Sequence, residues 1–78
     1  MLVPTIHLNG TPRDRLIEAL CEAGSALGKA IEAVQQTAPH GRDYYPQGSK
    51  AMDAATAEHL ARLGKLRAVY DDLAELAA

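Results

Sequence analysis

Apolar residues recur with a helical period over most of the chain after residue 12. Ile17, Gly24, Ile31 and Ala38 stand seven apart, and Leu20, Leu27 and Val34 follow the first three of them by three. Together they form a seam of a and d positions, the spacing by which one helix presents a stripe to another. A second seam is cleaner: Met52, Thr56, His59, Leu63, Leu66, Tyr70, Leu73 and Ala77 are spaced alternately by four and three, with Leu60, Val69 and Leu76 beside them. The pattern predicts helices over residues 12–37 and 49–77. Ahead of them Leu2, Pro4, Ile6 and Leu8 alternate with Val3, Thr5 and His7, and the proline and β-branched residues favour an extended arm over 1–10.

Local punctuation agrees with this division. Asn9-Gly10 reads as a turn, Thr11 as an N-cap, Pro12 as the first helical residue and Asp14 as a first-turn anion near the positive end of the helix dipole. Ala38-Pro39 stops the first helix, because the residue before a proline is pushed out of helical conformation. Gly41, Pro46 and Gly48 keep the connector over 38–48 irregular, and Ser49 is placed to cap the second helix. Glu58 with Arg62 and Arg67 with Asp71 lie four apart, as solvent-face ion pairs do.

Two helices of this length, roughly 40 Å each at 1.5 Å per residue, joined by a connector of this size predict an all-α fold, a long antiparallel helical hairpin with an extended N-terminal arm. Leu16, Leu60, Val69 and Leu76 widen the apolar stripe beyond a strict seam, and a lone hairpin leaves half of a wide stripe in water. Pairing two hairpins into a four-helix bundle covers both flanks, so a homodimer is expected. Gly24 and Gly28 sit at i and i+4 inside the first helix, where each glycine costs about 1 kcal/mol relative to alanine. Close approach of the second helix is the expected reason, and a ligand against exposed backbone the alternative. Cys21, with no histidine or lysine at i±3 or i±4, is expected to be a small buried hydrophobe and not a reactive thiol.

Size sharpens the need for a partner. A chain of 78 residues is one domain, 1–78, and buries only about 60–65% of its unfolded surface. The usual reinforcements of small domains are disulfides, metals and association. The single cysteine forms no internal disulfide, and His7, His40 and His59 belong to no ligand pair of zinc-site spacing. No metal and no cofactor are therefore expected, and association remains. The formal net charge of -2 and the intermixed signs point away from nucleic acid and membrane surfaces, which attract a basic stripe. No run approaches the roughly 18 apolar residues of a membrane span, and Met1 to Ile6 has no early basic residue or long apolar core, so no signal peptide is read there. A reducing cytoplasm is the expected compartment.

The seam residues with chemical potential have bland roles. His59 and Thr56 are expected to hydrogen-bond within the bundle and set register, and Tyr70 to pack with its hydroxyl at the edge. Glu58-His59 lacks the second histidine of a zinc-protease helix, and neither a phosphate loop nor a serine elbow is present in the sequence. No catalytic residues are assigned and an enzyme is not expected. The connector differs in kind: His40, Arg42, Tyr44, Tyr45, Gln47 and Lys50 concentrate planar, cationic and hydrogen-bonding groups. Arginine grips phosphate or carboxylate through paired hydrogen bonds, tyrosine stacks or fills a partner's pocket, and Lys50 lies at the positive end of the second helix. His40, Arg42, Tyr44, Tyr45 and Lys50 are the candidate binding residues. The competing structural role is a cap on the open end of the bundle, with Asp43 pairing Arg42 or a neighbouring subunit.

The Asn9-Gly10-Thr11 helix start, the Ala-rich first helix ending in Ala38-Pro39-His40-Gly41-Arg42-Asp43-Tyr44-Tyr45-Pro46-Gln47-Gly48, and Glu58-His59 followed by Arg62, Leu66, Val69 and Leu73 resemble small proteins encoded by bacteriophages and prophages. The likeness runs from Asn9 over nearly the whole chain, with Gly-Arg-Asp-Tyr-Tyr-Pro-Gln-Gly as its distinctive centre. It implies a bacterial cytoplasmic setting and an accessory role, and no mechanism. Two functions are thus expected in competition. The first is a dimeric interaction module that binds a host or phage protein through the central loop. The alternative is a module that sequesters a small phosphorylated molecule, such as a nucleotide signal, with the same loop, alone or together with the Gly24–Gly28 face.

Overall fold

The computed structural model describes residues 1–6 and 10–78. Three helices follow one another: α1 over Arg13–Gln35, the short α2 over Gly41–Tyr44, and α3 over Ser49–Ala77, with a 3₁₀ turn at Tyr45–Gln47 between the last two. Among the described residues there is no strand. α1 packs along α3, and Gly28 of α1 faces the ring of Tyr70 of α3. Leu20 and Gly24 share a hollow with Leu73 and Ala77, so residue numbers rise on one helix as they fall on the other. The fold is an all-α antiparallel hairpin.

The helix ends differ in detail from the sequence signals. Pro12 occupies the capping position and Arg13 is the first helical residue, with no side-chain cap; the Pro12 carbonyl accepts from the Leu16 amide at 3.0 Å. α1 stops at Gln35, two residues short of the expected Thr37. Its final turn tightens as the amides of Gln36, Thr37 and Ala38 donate three residues back, to Ala33, Val34 and Gln35, and the Thr37 hydroxyl donates to the Val34 carbonyl at 2.6 Å. Such i→i+3 bonds satisfy carbonyls that a helix end leaves without partners. Ser49 is already helical, and the capping position belongs to Gly48, at φ 96°, a backbone conformation that disfavours any residue with a Cβ.

The hairpin is slender, 61 × 21 × 16 Å with a radius of gyration of 18.2 Å, where a compact chain of this length would have about 11–12 Å. Ile31 is the one buried hydrophobic side chain among the described residues, and His59 the one buried polar side chain. Ile17, Leu20, Leu27 and Val34 on α1, and Met52, Leu63, Leu66 and Leu73 on α3, are only half-buried. Leu60, Val69 and Tyr70 remain 61%, 49% and 40% exposed. The accessible surface is 6232 Å², against about 4,600 Å² for a compact protein of this mass.

Two expectations about α1 are corrected. Cys21 is exposed, because its position turns it to the rim of the α1–α3 contact. Close backbone approach at the glycines is also not observed. A Cβ on Gly24 would meet nothing within 4 Å, and one on Gly28 would meet only the Tyr70 ring, at 3.7 Å, which is ordinary van der Waals contact.

The arm residues Met1 to Ile6 have no regular structure. Val3, Pro4 and Ile6 lie against Leu16, Ile17 and Leu76, where α1 begins and α3 ends, so the arm covers the base of its own hairpin. It does so thinly, with Leu2 96% and Val3 65% exposed. The alternation through His7 and Leu8 and the turn at Asn9 fall outside the described residues.

Candidate functional site

The tip is built by local bonds. His40 is extended, at φ -108° and ψ 134°, and its Nδ1 accepts from the Arg42 amide at 3.1 Å, while its carbonyl accepts from the Asp43 amide at 3.0 Å. His40 thereby starts the single turn of α2, as an N-cap does. The 3₁₀ turn follows at once, with Pro46 inside it, and the Gly48 amide closes it on the Tyr45 carbonyl at 3.3 Å. Gly48, at positive φ, redirects the chain into α3, and its own carbonyl accepts from the Ala51 amide at 3.2 Å. The irregular connector expected from glycine and proline content is therefore an ordered pair of turns. Helical backbone at Gly41–Tyr44 was masked in the sequence by the prolines and glycines on either side.

This folding separates the candidate binding residues into two sets. Tyr44 is half-buried and Tyr45 is 85% exposed. With Gly41, Pro46, Gly48 and Met52 they line a hollow of about 580 Å³. The hollow is open to solvent and mainly apolar in its walls, and Met52 carries it onto the first turn of α3. His40, Arg42 and Lys50 are exposed but do not line it. The His40 ring is engaged as the α2 cap. Asp43 makes no ion pair with Arg42; among the described residues the one ion pair joins Arg62 to Glu58 at 3.9 Å, and Arg67 and Asp71 do not form another.

Further down the hairpin, the seam residues with chemical potential divide as well. The Thr56 hydroxyl donates to the Met52 carbonyl at 2.9 Å, a local bond within α3. His59 is 5% exposed and its Nδ1 has no hydrogen-bond partner, so the bond expected for a seam histidine is missing at that nitrogen. Tyr70 is less covered than a packed seam residue should be, since it bridges two shallow hollows along the α1–α3 contact. One is lined by Gly28, Ile31, Glu32, Gln35 and Arg67, and the other by Leu20, Gly24, Leu73, Ala74 and Ala77 with Cys21 at its edge. The second lies over the small residues around Gly24 that the sequence marks, whereas the first, bordered by Glu32, Gln35 and Arg67, carries no such signal.

Among the described residues no group of three or more His, Cys, Asp or Glu side chains could hold a metal ion, and no helix is long and apolar enough to cross a membrane. No protein-family model, curated protein or solved structure matches the chain.

Proposed function

We infer that the chain is a non-enzymatic interaction module. It pairs with a second copy of itself to complete a four-helix bundle, and it binds a protein through the hollow at its tip. The observation that carries the tip reading is Tyr45, an aromatic ring 85% exposed beside the half-buried Tyr44 on the wall of an apolar hollow. Aromatic anchors held by rigid backbone are the groups from which protein interfaces draw most of their energy. The ordered turns around Tyr44 and Gly48 supply that rigidity. The need for a second copy is supported by the half-buried seam and the long exposed edge. The partner at the tip is a host or phage protein, the class implied by the resemblance of the central loop, and the setting is the bacterial cytoplasm.

Sequestration of a phosphorylated molecule draws less support from this geometry, since Arg42 and Lys50 stand outside the hollow and no pair of cations converges on one point in it. The test is direct. A photo-crosslinking residue at Tyr45 should capture a specific protein in bacterial lysate, and Tyr45→Ala should reduce retention of that protein at least tenfold while helix content by circular dichroism stays unchanged. A thermal shift that grows with nucleotide concentration, together with undiminished capture by Tyr45→Ala, would reverse the preference.

A further inference from the structure

The two hollows that flank Tyr70 form one face of the hairpin, and its residues point to what covers it. Leu60, Arg67 and Ala74 stand seven apart on α3, so Leu60, 61% exposed, continues the edge of this face toward the tip. Glu32 of α1 and Arg67 of α3 line the same hollow. Each lies one helical turn tipward of the contact between Gly28 and Tyr70, so the two charges stand at the same height on opposite rims. Both are exposed, and neither is part of an ion pair among the described residues. The face is thus a shallow trough, apolar toward the base where Leu20, Leu73 and Ala77 line it and polar above Tyr70, where Glu32 on α1 stands level with Arg67 on α3.

We propose that this face is covered by a second copy of the chain with both tips at the same end, the two-fold axis running along the bundle. The proposal rests on the self-association inferred above and deepens it by fixing which faces meet and in which orientation. With the axis along the bundle, heights are preserved between copies, and α1 of one hairpin lies beside α3 of the other. Glu32 of each copy then meets Arg67 of its partner, giving two reciprocal pairs, as a self-complementary interface requires. An axis perpendicular to the hairpin at the level of Tyr70 would instead set both charges against the small residues around Gly24 and Ala74. Charge pairs of this kind select orientation more than they add affinity.

Each copy exposes about 1,600 Å² more than a compact protein of its mass, surface that a second copy can cover. One consequence is functional: the two tyrosine hollows come to one end, so the assembly offers its partner two equivalent sites side by side.

The test uses charge reversal split between copies. Glu32→Lys and Arg67→Glu are made as separate single variants, and native mass spectrometry measures dimers of each alone and in equal mixture. Each variant alone should self-associate about tenfold more weakly than the wild type, with like charges facing at both pairs. In the mixture every cross-copy pair is again of opposite sign, so the mixed dimer should outweigh the sum of the two self-dimers by several-fold. A statistical mixture, with mixed dimers equal to that sum, overturns the orientation while leaving self-association standing. A wild type that is monomeric at micromolar concentration overturns both. A pair made within one chain would be broken in both variants and would not be repaired by mixing, so the readout separates contact between copies from contact within one.

Discussion

The tip half and the base half of the hairpin carry the same seam pattern yet are packed differently. Toward the tip, Ile31 and His59 are buried, and the connector folds back as α2 and the 3₁₀ turn onto α3 without reaching α1. Toward the base, Leu20, Leu73 and Ala77 border an open hollow of about 420 Å³, and the thin arm from Val3 to Ile6 covers only the neighbouring Leu16, Ile17 and Leu76 among the described residues. A two-helix contact is a line, and it excludes water only where a third element closes over it. At the tip the connector is such an element for α3 alone. At the other end the arm is such an element among the described residues.

Ile31 and Leu73 differ in cover. Ile31→Ala should destabilise the fold by about 2–4 kcal/mol, the usual cost of truncating a buried aliphatic residue, whereas Leu73→Ala should cost about 1–2 kcal/mol in dilute protein because the site is half in water already. Urea denaturation of both variants measures the difference. Equal costs in dilute protein would show that the two halves are equally covered and remove the contrast. A cost for Leu73→Ala that grows with protein concentration would sharpen it.

Gly48→Ala tests the ordered tip. The substitution meets no atom within 4 Å but must hold φ 96°, which costs about 1–2 kcal/mol for a residue with a Cβ. A midpoint unchanged in urea would mean that the connector does not depend on this conformation. Gly24→Ala tests the base from the opposite side. With nothing within 4 Å of the new methyl group, replacing a mid-helix glycine should stabilise dilute protein by about 0.5–1 kcal/mol. A loss of stability would place another atom in that space. The smallest effect is expected at Arg62→Ala. The pair with Glu58 spans 3.9 Å between exposed side chains, and its removal should change stability by less than about 0.5 kcal/mol, within the scatter of repeated melts.

The architecture was legible because its causes are local. A period near 3.5 in apolar residues from Ile17 to Val34 and from Met52 to Ala77 specifies helices, and Pro39 separates them, whatever else the chain does. The folded structure contains the all-α hairpin that this spacing implies. The tip residues were legible only as a list. Arg42, Tyr44, Tyr45 and Lys50 are adjacent in sequence, but the His40 cap and the turn at Gly48 send the tyrosines to one hollow and the cations elsewhere. The burial of Cys21 was misjudged because composition places cysteine inside by preference, while its position on α1 puts it at the rim.

The order of side chains along the chain dictates where the helices run, which stripe of each is apolar and which apolar residues flank that stripe. All of these follow from the covalent order of side chains around a helix of known pitch. That Ile31 and His59 are covered while Tyr70 is 40% exposed, and that Glu32 and Arg67 border one hollow, follows from how the helices pack. The physical reason is that burial and height depend on the relative register of two helices. Register is set by contacts between residues some 40 positions apart, such as Gly28 and Tyr70, and no local pattern contains it.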